Sequence, residues 1–406
     1  MKHFRYLIIG GGLAGDAAVR GIREVDAEGT IGMLSREQDP PYTRPSLSKG
    51  LWKGRPLEKI WRKTEDPGVE MQLGRKVTNL DTSRKFATDD RGDQYSFEKA
   101  LIATGGSPVR LPIGGSEIRY FHDLQDYREL RTSTEHGDKF LVIGGGFIGT
   151  ELAAALASIG KQVVLLLREE AIGASVFPGD LARFLNEYYR QKGVEVLPYE
   201  EVSGVEKEAG HITVTTQGGR TFEVDGVVAG VGLTPNVDLA RQAGLNLDNG
   251  ILVDEHLQTS AADVFAAGDV ANFLHLALGR RVRVEHEDNA LSMGKLAGRN
   301  MAGAGERYTH VPMFYSDLFD LGYEAVGVLD SSMQMVTDWQ VPFRKGVVYY
   351  LEEGRVRGVL LWNVWKKVDA ARALMAEAGP FKPTDLKGRI SEQPTEPAGL
   401  RKGLPA

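Results

Sequence analysis

The sequence contains the same glycine-rich turn twice, as Gly-Gly-Gly-Leu-Ala-Gly at residues 10–15 and as Gly-Gly-Gly-Phe-Ile-Gly at residues 144–149. Each copy follows a short apolar run, at residues 6–9 and 140–143, and each opens an alanine-rich segment. In this strand–turn–helix context a G-x-G-x-x-G turn binds the pyrophosphate of a dinucleotide. Two such turns predict two βαβ units and two dinucleotides on one chain, the arrangement that places a flavin in contact with a nicotinamide.

Each position of the turn has its own physical task. Gly10 permits the tight bend, Gly12 lets the backbone approach the pyrophosphate, and Gly15 lets the helix pack closely on the strand. The helix N-terminus adds amide donors and a partial positive charge. A tight turn without a ligand is the alternative interpretation. The predicted contacts are Gly10, Gly12, Leu13, Ala14 and Gly15 for the first nucleotide, and Gly144, Gly146, Phe147, Ile148 and Gly149 for the second.

An acidic residue about 20 positions after the turn is expected to bind the adenosine ribose. Glu37 lies 22 residues after Gly15, and Glu169 lies 20 residues after Gly149. Arg168 would instead suit a 2′-phosphate, and a solvated strand end is a third interpretation of this second site. The sequence therefore favours NADH and leaves NADPH open.

The composition restricts the class of protein. At 406 residues, 42% hydrophobic and 26% charged, the chain is an ordinary globular protein of two or three domains. A net charge of −6 and the lack of a long apolar run predict no nucleic-acid or membrane partner, and the early first strand predicts a cytoplasmic protein. Cysteine is absent, so a redox-active disulfide and a thiolate-bound iron–sulfur cluster are excluded. The eight histidines show no ligand spacing, which predicts no metal site.

The order of the patterns predicts three domains. A strand-like stretch at residues 263–267 is expected to return to the first sheet, which makes the first domain discontinuous over residues 1–112 and 246–312. The second nucleotide-binding domain is expected at residues 113–245 and a C-terminal domain at 313–382, with a flexible tail at 383–406. Within the C-terminal domain, runs at 344–351 and 355–361 predict a hairpin, and a helix is expected over 365–378.

Residues 42–49, Tyr-Thr-Arg-Pro-Ser-Leu-Ser-Lys, resemble a loop of the FAD-dependent NAD(P)H:ferredoxin and rubredoxin reductases of the putidaredoxin-reductase-like kind. Apoptosis-inducing factors share that loop, and residues 313–332 are particularly similar to their branch. Further matches lie at residues 103–105, 231–236, 267–270 and 283–290. The resemblance implies an α/β protein with two Rossmann-like domains in a glutathione-reductase-like arrangement and a C-terminal α/β domain. It also implies FAD and NAD(P)H as cofactors.

The resemblance assigns roles to particular residues. It places Arg44 and Lys49 on the FAD, with Lys49 near the isoalloxazine, and Asp269 at the ribityl–phosphate side. Glu151 would face Lys49 and the nicotinamide carboxamide, so Lys49 and Glu151 are the implied catalytic pair. Phe147 would cover the flavin until the nicotinamide displaces it. The remaining implied cofactor contacts are Thr104, Gly105, Gly232 and Glu287.

Glu287 departs from the resemblance, because the reductases carry tryptophan there and apoptosis-inducing factors carry histidine. An acid at the flavin edge would disfavour reduction and repel an acidic partner, whereas Arg280, Arg281 and Arg283 would offer a basic landing patch for one. The implied function is hydride transfer from NAD(P)H to FAD and single-electron delivery to a ferredoxin- or rubredoxin-type acceptor. An NADH-responsive signalling protein with slow turnover and an NADH reductase of quinones or other small acceptors are the alternatives, and a homodimer is a further expectation.

Overall fold

The fold is described from a computed structural model, which covers residues 1–65, 67–208 and 210–390. The strands are, in chain order, β1 (Lys2–Ile9), β2 (Ile31–Ser35), β3 (Val69–Leu73), β4 (Val77–Asp81), β5 (Phe86–Asp89), β6 (Gln94–Ile102), β7 (Gly106–Pro108), β8 (Ile118–Tyr120), β9 (Lys139–Ile143), β10 (Gln162–Leu166), β11 (Val194–Leu197), β12 (Val202–Glu208), β13 (His211–Thr216), β14 (Thr221–Val224), β15 (Gly226–Ala229), β16 (Leu233–Pro235), β17 (Ile251–Leu252), β18 (Val264–Ala266), β19 (Ala271–His275), β20 (Arg280–Val282), β21 (Met313–Leu318), β22 (Leu321–Gly327), β23 (Gln334–Val341), β24 (Lys345–Glu352) and β25 (Arg355–Trp362).

The α-helices are α1 (Leu13–Arg23), α2 (Leu124–His136), α3 (Phe147–Ser158), α4 (Gly179–Gln191), α5 (Asp238–Gln242), α6 (Glu287–Met301), α7 (Val368–Ala376) and α8 (Pro383–Leu386). Single turns of 3₁₀ helix lie at Arg44–Leu47, Gly50–Lys53, Leu57–Lys59 and Gly268–Val270. In the part of the chain that the structure covers, we find no helix with the length and apolar character needed to cross a bilayer.

The first domain is built on a sheet with the strand order β3-β2-β1-β6-β5-β4, and β18 pairs in parallel with β6. Strands β1, β2, β3 and β6 are also parallel, with Ile9 of β1 opposite both Leu34 and Ile102. The carboxyl ends of parallel strands share one edge of a sheet, and ligands of open α/β sheets bind there. The glycine turn after β1 and the segments after β6 and β18 therefore meet at one edge.

Helices α1 and α6 pack against each other with almost no space between their backbones. A Cβ added at Gly294 would lie 2.2 Å from the Ala14 carbonyl oxygen, and one added at Gly298 would lie 2.1 Å from that of Ala18. Glycine at these positions is therefore a packing requirement. This close packing directs the N-terminus of α6, which begins with Glu287, towards the same edge of the sheet.

The second domain has a parallel sheet with the order β11-β10-β9-β15-β8. Its strands are apolar on both faces, with Phe140 and Val142 of β9 fully buried on one face and Leu141 fully buried on the other, as expected for a sheet covered on both sides. An antiparallel sheet of β12, β13 and β14 is attached to it. The short pair β7 and β16 links the two nucleotide-binding domains.

The chain returns to the first domain earlier than residue 246. Leu239 and Ala240 of α5, together with Leu245, pack in the hydrophobic core of the first domain. The second domain therefore ends before the predicted residue 245, because the apolar side chains of α5 belong to the hydrophobic core of the first domain. We propose a boundary after β16.

The third domain contains an antiparallel sheet with the order β21-β22-β25-β24-β23. The predicted hairpin is present as β24 and β25, whereas β21 to β23 were not predicted as strands. The predicted helix over 365–378 is shorter, because α7 spans only Val368–Ala376. Together with the two parallel sheets, these elements confirm the α/β class with a C-terminal α/β domain.

The beginning of the predicted tail is ordered. Residues 383–386 form α8, and Leu386 and Ile390 are buried in the core of the third domain. The expectation of a flexible segment is therefore wrong for residues 383–390, since these two apolar side chains anchor it. Residues 391–406 lie outside the described residues.

Candidate functional site

One large cavity of about 1240 Å³ runs between the domains. Its lining includes residues 10–14 of the first glycine turn, residues 44, 45 and 47–49, residues 103–108, residues 267–269 and the first turn of α3. Residues 283–288 and 312–315 close it on the side of the third domain. Segments predicted from separate motifs thus surround one continuous space.

The two glycine turns have the shape that a pyrophosphate requires. Gly10 and Gly144 have φ angles of +125° and +111°, which L side chains rarely adopt. No atom of the described chain lies within 4 Å of a Cβ added at Gly12 or Gly146, so the backbone is open to a ligand at both positions. Each turn leads into a helix N-terminus, where free amides favour phosphate. The residues present therefore fit FAD at the first turn and a nicotinamide dinucleotide at the second.

The last glycine of each turn serves the packing of the helix. A Cβ added at Gly15 would lie 2.2 Å from the Gly10 carbonyl oxygen, and one at Gly149 would lie 2.0 Å from that of Gly144. Neither Gly15 nor Gly149 lines the cavity, and Gly144 does not line it either. Leu13, Ala14 and Ile148 do line it.

Lys49 and Glu151 form a buried ion pair, with 2.7 Å between Lys49 Nζ and Glu151 Oε2. The Glu151 side chain is 3% exposed and that of Lys49 is 14% exposed. Ser48 donates its hydroxyl to the same carboxylate oxygen at 2.6 Å. Ser316, on β21 of the third domain, donates to Oε1 at 2.6 Å. The three domains therefore meet at one carboxylate in the wall of the cavity.

Glu37 lies in the cavity wall but is already bonded to the protein. Arg44 donates to its Oε1 at 2.6 Å, and the Tyr42 hydroxyl donates to its Oε2 at 2.6 Å. Burial by itself would raise the pKa of the Glu37 carboxyl, but the charge of Arg44 and these hydrogen bonds hold it below its usual value. Arg44 also donates to the His122 carbonyl of the second domain at 2.7 Å. Glu37 and Arg44 thus connect the wall of the cavity to the contact between the first and second domains.

Asp269 is partly buried in the wall of the same cavity. Burial, followed by the negative charge of Glu285, raises the pKa of the Asp269 carboxyl from 3.8 to about 6, and Arg44 and Arg283 oppose that shift. A neutral Asp269 is a hydrogen-bond donor as well as an acceptor. The group is therefore able to pair with a ligand hydroxyl or phosphate in either protonation state.

We predict that Asp269 makes the FAD-free protein less stable as pH rises from about 4 to 6. A carboxyl with a higher pKa in the folded state than in the unfolded state favours folding at low pH, and this contribution is lost through that window. The shift corresponds to about 3 kcal/mol. Denaturant unfolding at pH 4 and pH 7 should show that Asp269→Asn stabilises the protein at pH 7 relative to pH 4. An identical pH dependence in both proteins would contradict the assignment.

Aromatic side chains occupy the cavity next to the second glycine turn. Phe147, at the start of α3, lies 5.8 Å from the Phe314 ring and 6.0 Å from the His286 ring, and His286 stacks on Phe314 at 4.4 Å. Burial lowers the pKa of His286 to about 4, with Lys49 contributing in the same direction, so this ring is neutral at pH 7. Phe147 remains partly exposed, which is consistent with a displaceable side chain.

Glu287 lies in the cavity at the first position of α6. Its Oε2 accepts a hydrogen bond from the Tyr315 hydroxyl at 3.2 Å, and the Tyr315 ring lies 5.1 Å from Lys49 Nζ. The Glu287 carboxylate is therefore close to the Lys49 end of the cavity. The sequence alone did not predict this hydrogen bond between Tyr315 and Glu287.

Thr104, Gly105 and Gly232 lie where the chain crosses between the two nucleotide-binding domains, and all three line the cavity. Thr104 exchanges hydrogen bonds with Asn236, donating through Oγ1 at 2.9 Å and accepting through its carbonyl at 2.8 Å. Gly105 and Gly232 have φ angles of +62° and +108°. The crossing is thus held by backbone geometry that glycine favours.

Glu169 does not line the cavity. It is 41% exposed and forms an ion pair with Arg168, which is 74% exposed, at 3.1 Å. Residue spacing predicted that Glu169 follows the end of the strand, but it did not predict that the side chain lies at the surface and outside the cavity. Its contact with a nucleotide remains a prediction.

The three arginines of the predicted landing patch do not form one surface. The Arg283 side chain is 10% exposed, lies in the cavity wall and pairs with Glu285. Arg281 donates to the carbonyl oxygens of Val253 and Asn272, and Arg280 is exposed. The predicted patch therefore lacks Arg283, because its side chain is buried against Glu285, whereas Arg280 and Arg281 are both exposed.

Sequence reasoning missed the two serines that bind Glu151 and the role of Arg283 in the cavity wall. Ser48 stands next to Lys49 in the loop motif, and Ser316 lies in the segment that resembles apoptosis-inducing factors, but the sequence assigns a role to neither. Nothing local distinguishes them from other serines, because their partner lies 103 and 165 residues away.

Comparison with protein-family models agrees with the geometry. Residues 4–294 match the family described as pyridine nucleotide-disulphide oxidoreductase. Residues 297–342 and 337–377 match the C-terminal domain described as apoptosis-inducing factor, mitochondrion-associated.

Individual relatives match over nearly the whole chain. The mitochondrial apoptosis-inducing factor 1 of Dictyostelium discoideum is 33% identical, over 92% of this chain and 79% of its own length. The ferredoxin reductase subunit of 5,5'-dehydrodivanillate O-demethylase from Sphingobium sp. is 33% identical, over 93% and 94%. The solved covalent complex of putidaredoxin reductase with putidaredoxin contains a chain that superimposes with a TM-score of 0.88 at 28% identity, covering 95% of each chain.

Two dinucleotide turns in one cavity, a family model over most of the chain and full-length relatives point to the same conclusion. The predicted cofactors, FAD and NAD(P)H, are confirmed at the level of the family. The chain has no cysteine, so it carries out this chemistry without a redox-active disulfide. The chain belongs to the pyridine nucleotide-disulphide oxidoreductase family and is an FAD-dependent NAD(P)H oxidoreductase.

Proposed function

We propose that the protein passes electrons from NAD(P)H, by way of bound FAD, to a ferredoxin- or rubredoxin-type protein. When bound, FAD would supply the step that this needs, since a flavin accepts a hydride and releases its electrons one at a time. The observation that carries the proposal is the single cavity that joins both glycine turns to the Lys49–Glu151 pair. The ferredoxin reductase relative and the putidaredoxin complex support the kind of acceptor.

In this proposal Lys49 acts through its charge. A fixed ammonium group in a poorly solvated cavity favours the negative charge that accumulates beside it during reduction. Glu151 holds that ammonium in place and offers an acceptor for the amide of a nicotinamide carboxamide. Because the hydride carries both electrons, no side chain has to move a proton in this transfer.

Phe147 and Ile148 are proposed to control access to the cavity. Both begin α3, both are partly exposed, and both line the space next to the second glycine turn. A large ring at this point would exclude water from the redox site until the nicotinamide displaces it. The Phe147 ring packs on other rings without a hydrogen bond, so the displacement breaks only apolar contacts.

For the second nucleotide we propose a preference for NADH. The Glu169 carboxylate at the end of β10 would accept a ribose hydroxyl and repel a 2′-phosphate. Arg168 is already paired with Glu169, so its charge is partly neutralised. NADPH is the alternative if that pair opens.

The acceptor is expected to bind near the exposed edge formed by Tyr315 and Glu287. Lys53 is 60% exposed at that edge and lies 3.4 Å from Asp317, so positive and negative groups are mixed there. An acidic acceptor would therefore find no large positive field. We propose a low affinity and a rapid exchange of partners.

The proposal is tested by anaerobic stopped-flow mixing of the oxidised protein with NADH and, separately, with NADPH. Bleaching of the visible flavin band at about 1–10³ s⁻¹, the range of ordinary turnover, is the expected result, with NADH the faster nucleotide. Addition of a ferredoxin or a rubredoxin should then restore the band. A protein that holds no FAD, or a flavin that neither nucleotide bleaches, would rule the proposal out.

A second candidate function follows from the match of the third domain to the apoptosis-inducing factor model. In that case NADH would change the shape or association of the protein, and turnover would be slow. Light scattering with and without NADH separates the two candidate functions. If NADH changes neither the mass nor the shape of the protein, the signalling function is not supported. Slow bleaching of the flavin with a long-lived nucleotide complex would favour the signalling function.

An NADH reductase of quinones or other small acceptors is the third candidate. Its reduced flavin would be reoxidised faster by those compounds than by a ferredoxin.

The proposal includes a homodimer and a cytoplasmic location. Sedimentation of the holoprotein gives the mass in solution directly. Fractionation of cells that express the natural gene gives the compartment. A monomer at all concentrations would contradict the homodimer, and a protein found only outside the cytoplasm would contradict the location. Neither result would bear on the proposed redox chemistry.

A further inference from the structure

Ser316 reaches the redox site from a different domain than the groups around it. It lies on β21 of the third domain, is buried, and donates its hydroxyl to Oε1 of Glu151 at 2.6 Å. The other oxygen, Oε2, already accepts from Lys49 and Ser48. Each carboxylate oxygen thus has its own donors, and the donor on Oε1 comes from the third domain.

The need for a donor on Oε1 follows from burial. An ionised carboxylate that is almost fully removed from water is costly unless both of its oxygens are hydrogen-bonded. Without Ser316, Oε1 of Glu151 would lose its hydrogen bond, and the buried carboxylate would be held only through the donors to Oε2. A carboxylate that is free to turn about Oε2 would in turn hold the Lys49 ammonium less firmly.

The groups that face Glu151 leave few substitutes for Ser316. Among the described residues the charged neighbour is Lys49, and the titratable neighbours are Tyr189, Tyr315 and Tyr323. Tyr189 donates to the Thr150 carbonyl and Tyr315 donates to Glu287. Tyr323 is buried, and its hydroxyl has no hydrogen-bond partner among the described residues, so it is the candidate substitute donor.

We propose that Ser316 is a positioning residue of the redox site, by which the third domain holds the Glu151 carboxylate and, through it, the Lys49 ammonium in the cavity. The effect of Ser316 on hydride transfer rests on the proposed function, whereas the contact between Ser316 and Glu151 does not depend on that function. The third domain is then part of the redox site and does more than offer a surface to partners.

The test compares Ser316→Ala with Ser316→Thr, which keeps the hydroxyl, in the FAD-bound protein. The first readout is the rate at which an amine-reactive reagent modifies Lys49, followed by peptide mass spectrometry. Ser316→Ala should increase that rate about tenfold, the factor that one lost hydrogen bond to a charged group represents. Ser316→Thr should stay near the wild-type rate, and the exposed Lys53 should be modified at the same rate in all proteins.

The second readout is the rate of flavin bleaching at saturating NADH. In Ser316→Ala this rate should fall about tenfold, and Ser316→Thr should restore it. Ser332→Ala is the matched control, because Ser332 donates to the Asp330 carboxylate at 2.7 Å on the exposed surface of the same domain. It should leave both readouts unchanged.

Unchanged modification of Lys49 in Ser316→Ala and also in the double variant with Tyr323→Phe would overturn the proposal. So would equal acceleration at Lys49 and Lys53, because that indicates a loosened loop. If the wild type is not bleached by either nucleotide, the proposed function fails, and the modification experiment still decides the role of Ser316.

Discussion

Replacing Lys49 by methionine is expected to slow bleaching of the flavin by NADH by about 10²–10³-fold, the usual cost of removing one preorganised electrostatic group from an active site. The substitution keeps the length of the side chain and removes its charge. It also leaves Glu151 buried without its ion-pair partner, which typically costs about 3–5 kcal/mol of stability. A slow rate therefore has to be separated from partial unfolding.

A second variant makes this separation. Adding Glu151→Gln to Lys49→Met removes the uncompensated charge, so stability and FAD content should recover while the rate stays low. Lys53→Met is the matched control, since Lys53 is exposed four residues further along and contacts only the edge of the third domain through Asp317. A Lys49→Met protein that is bleached at the wild-type rate would remove Lys49 from the site.

Alanine at Gly12 and at Gly146 is expected to weaken two different binding events. A Cβ at either position meets no atom of the described chain within 4 Å, so the fold should tolerate it, but the methyl group would occupy the space through which a pyrophosphate approaches. Overpacking of this kind costs about 1–3 kcal/mol, which is about 5- to 150-fold in affinity. Gly12→Ala should be purified with less FAD, whereas Gly146→Ala should keep FAD and bind NADH weakly.

The measurements are the flavin content of the purified proteins and the NADH concentration that gives half-maximal bleaching. Gly204→Ala is the control, because Gly204 also has open space around its added Cβ but lies on β12, outside the cavity. Loss of FAD in Gly146→Ala, or an unchanged NADH dependence there, would contradict the assignment of the two turns. Gly10→Ala is expected to disturb folding itself, since its Cβ would lie 2.1 Å from the Ala103 carbonyl oxygen.

The sequence alone determined the features that depend on short stretches of chain. Both βαβ units and their glycine turns were predictable, because apolar strands, the turn and the helix follow one another within about 30 residues. The absence of cysteine excluded a redox-active disulfide without any structure. The strands β21 to β23 were not predicted, since β23 in particular carries polar residues on a half-buried face and lacks clear alternation.

Only the tertiary structure decided how distant residues meet. The resemblance implied that Glu151 faces Lys49, but the donor to its other carboxylate oxygen, Ser316, comes from a strand 165 residues away. Spacing located Glu37 and Glu169 at strand ends, yet Glu37 turns into the cavity and binds Arg44, while Glu169 points to solvent. Local sequence sets which segments become strands and helices, because their hydrogen bonds and side-chain periods are local. The direction of a side chain at a strand end is set by the domain packed against it, and that contact depends on residues far along the chain.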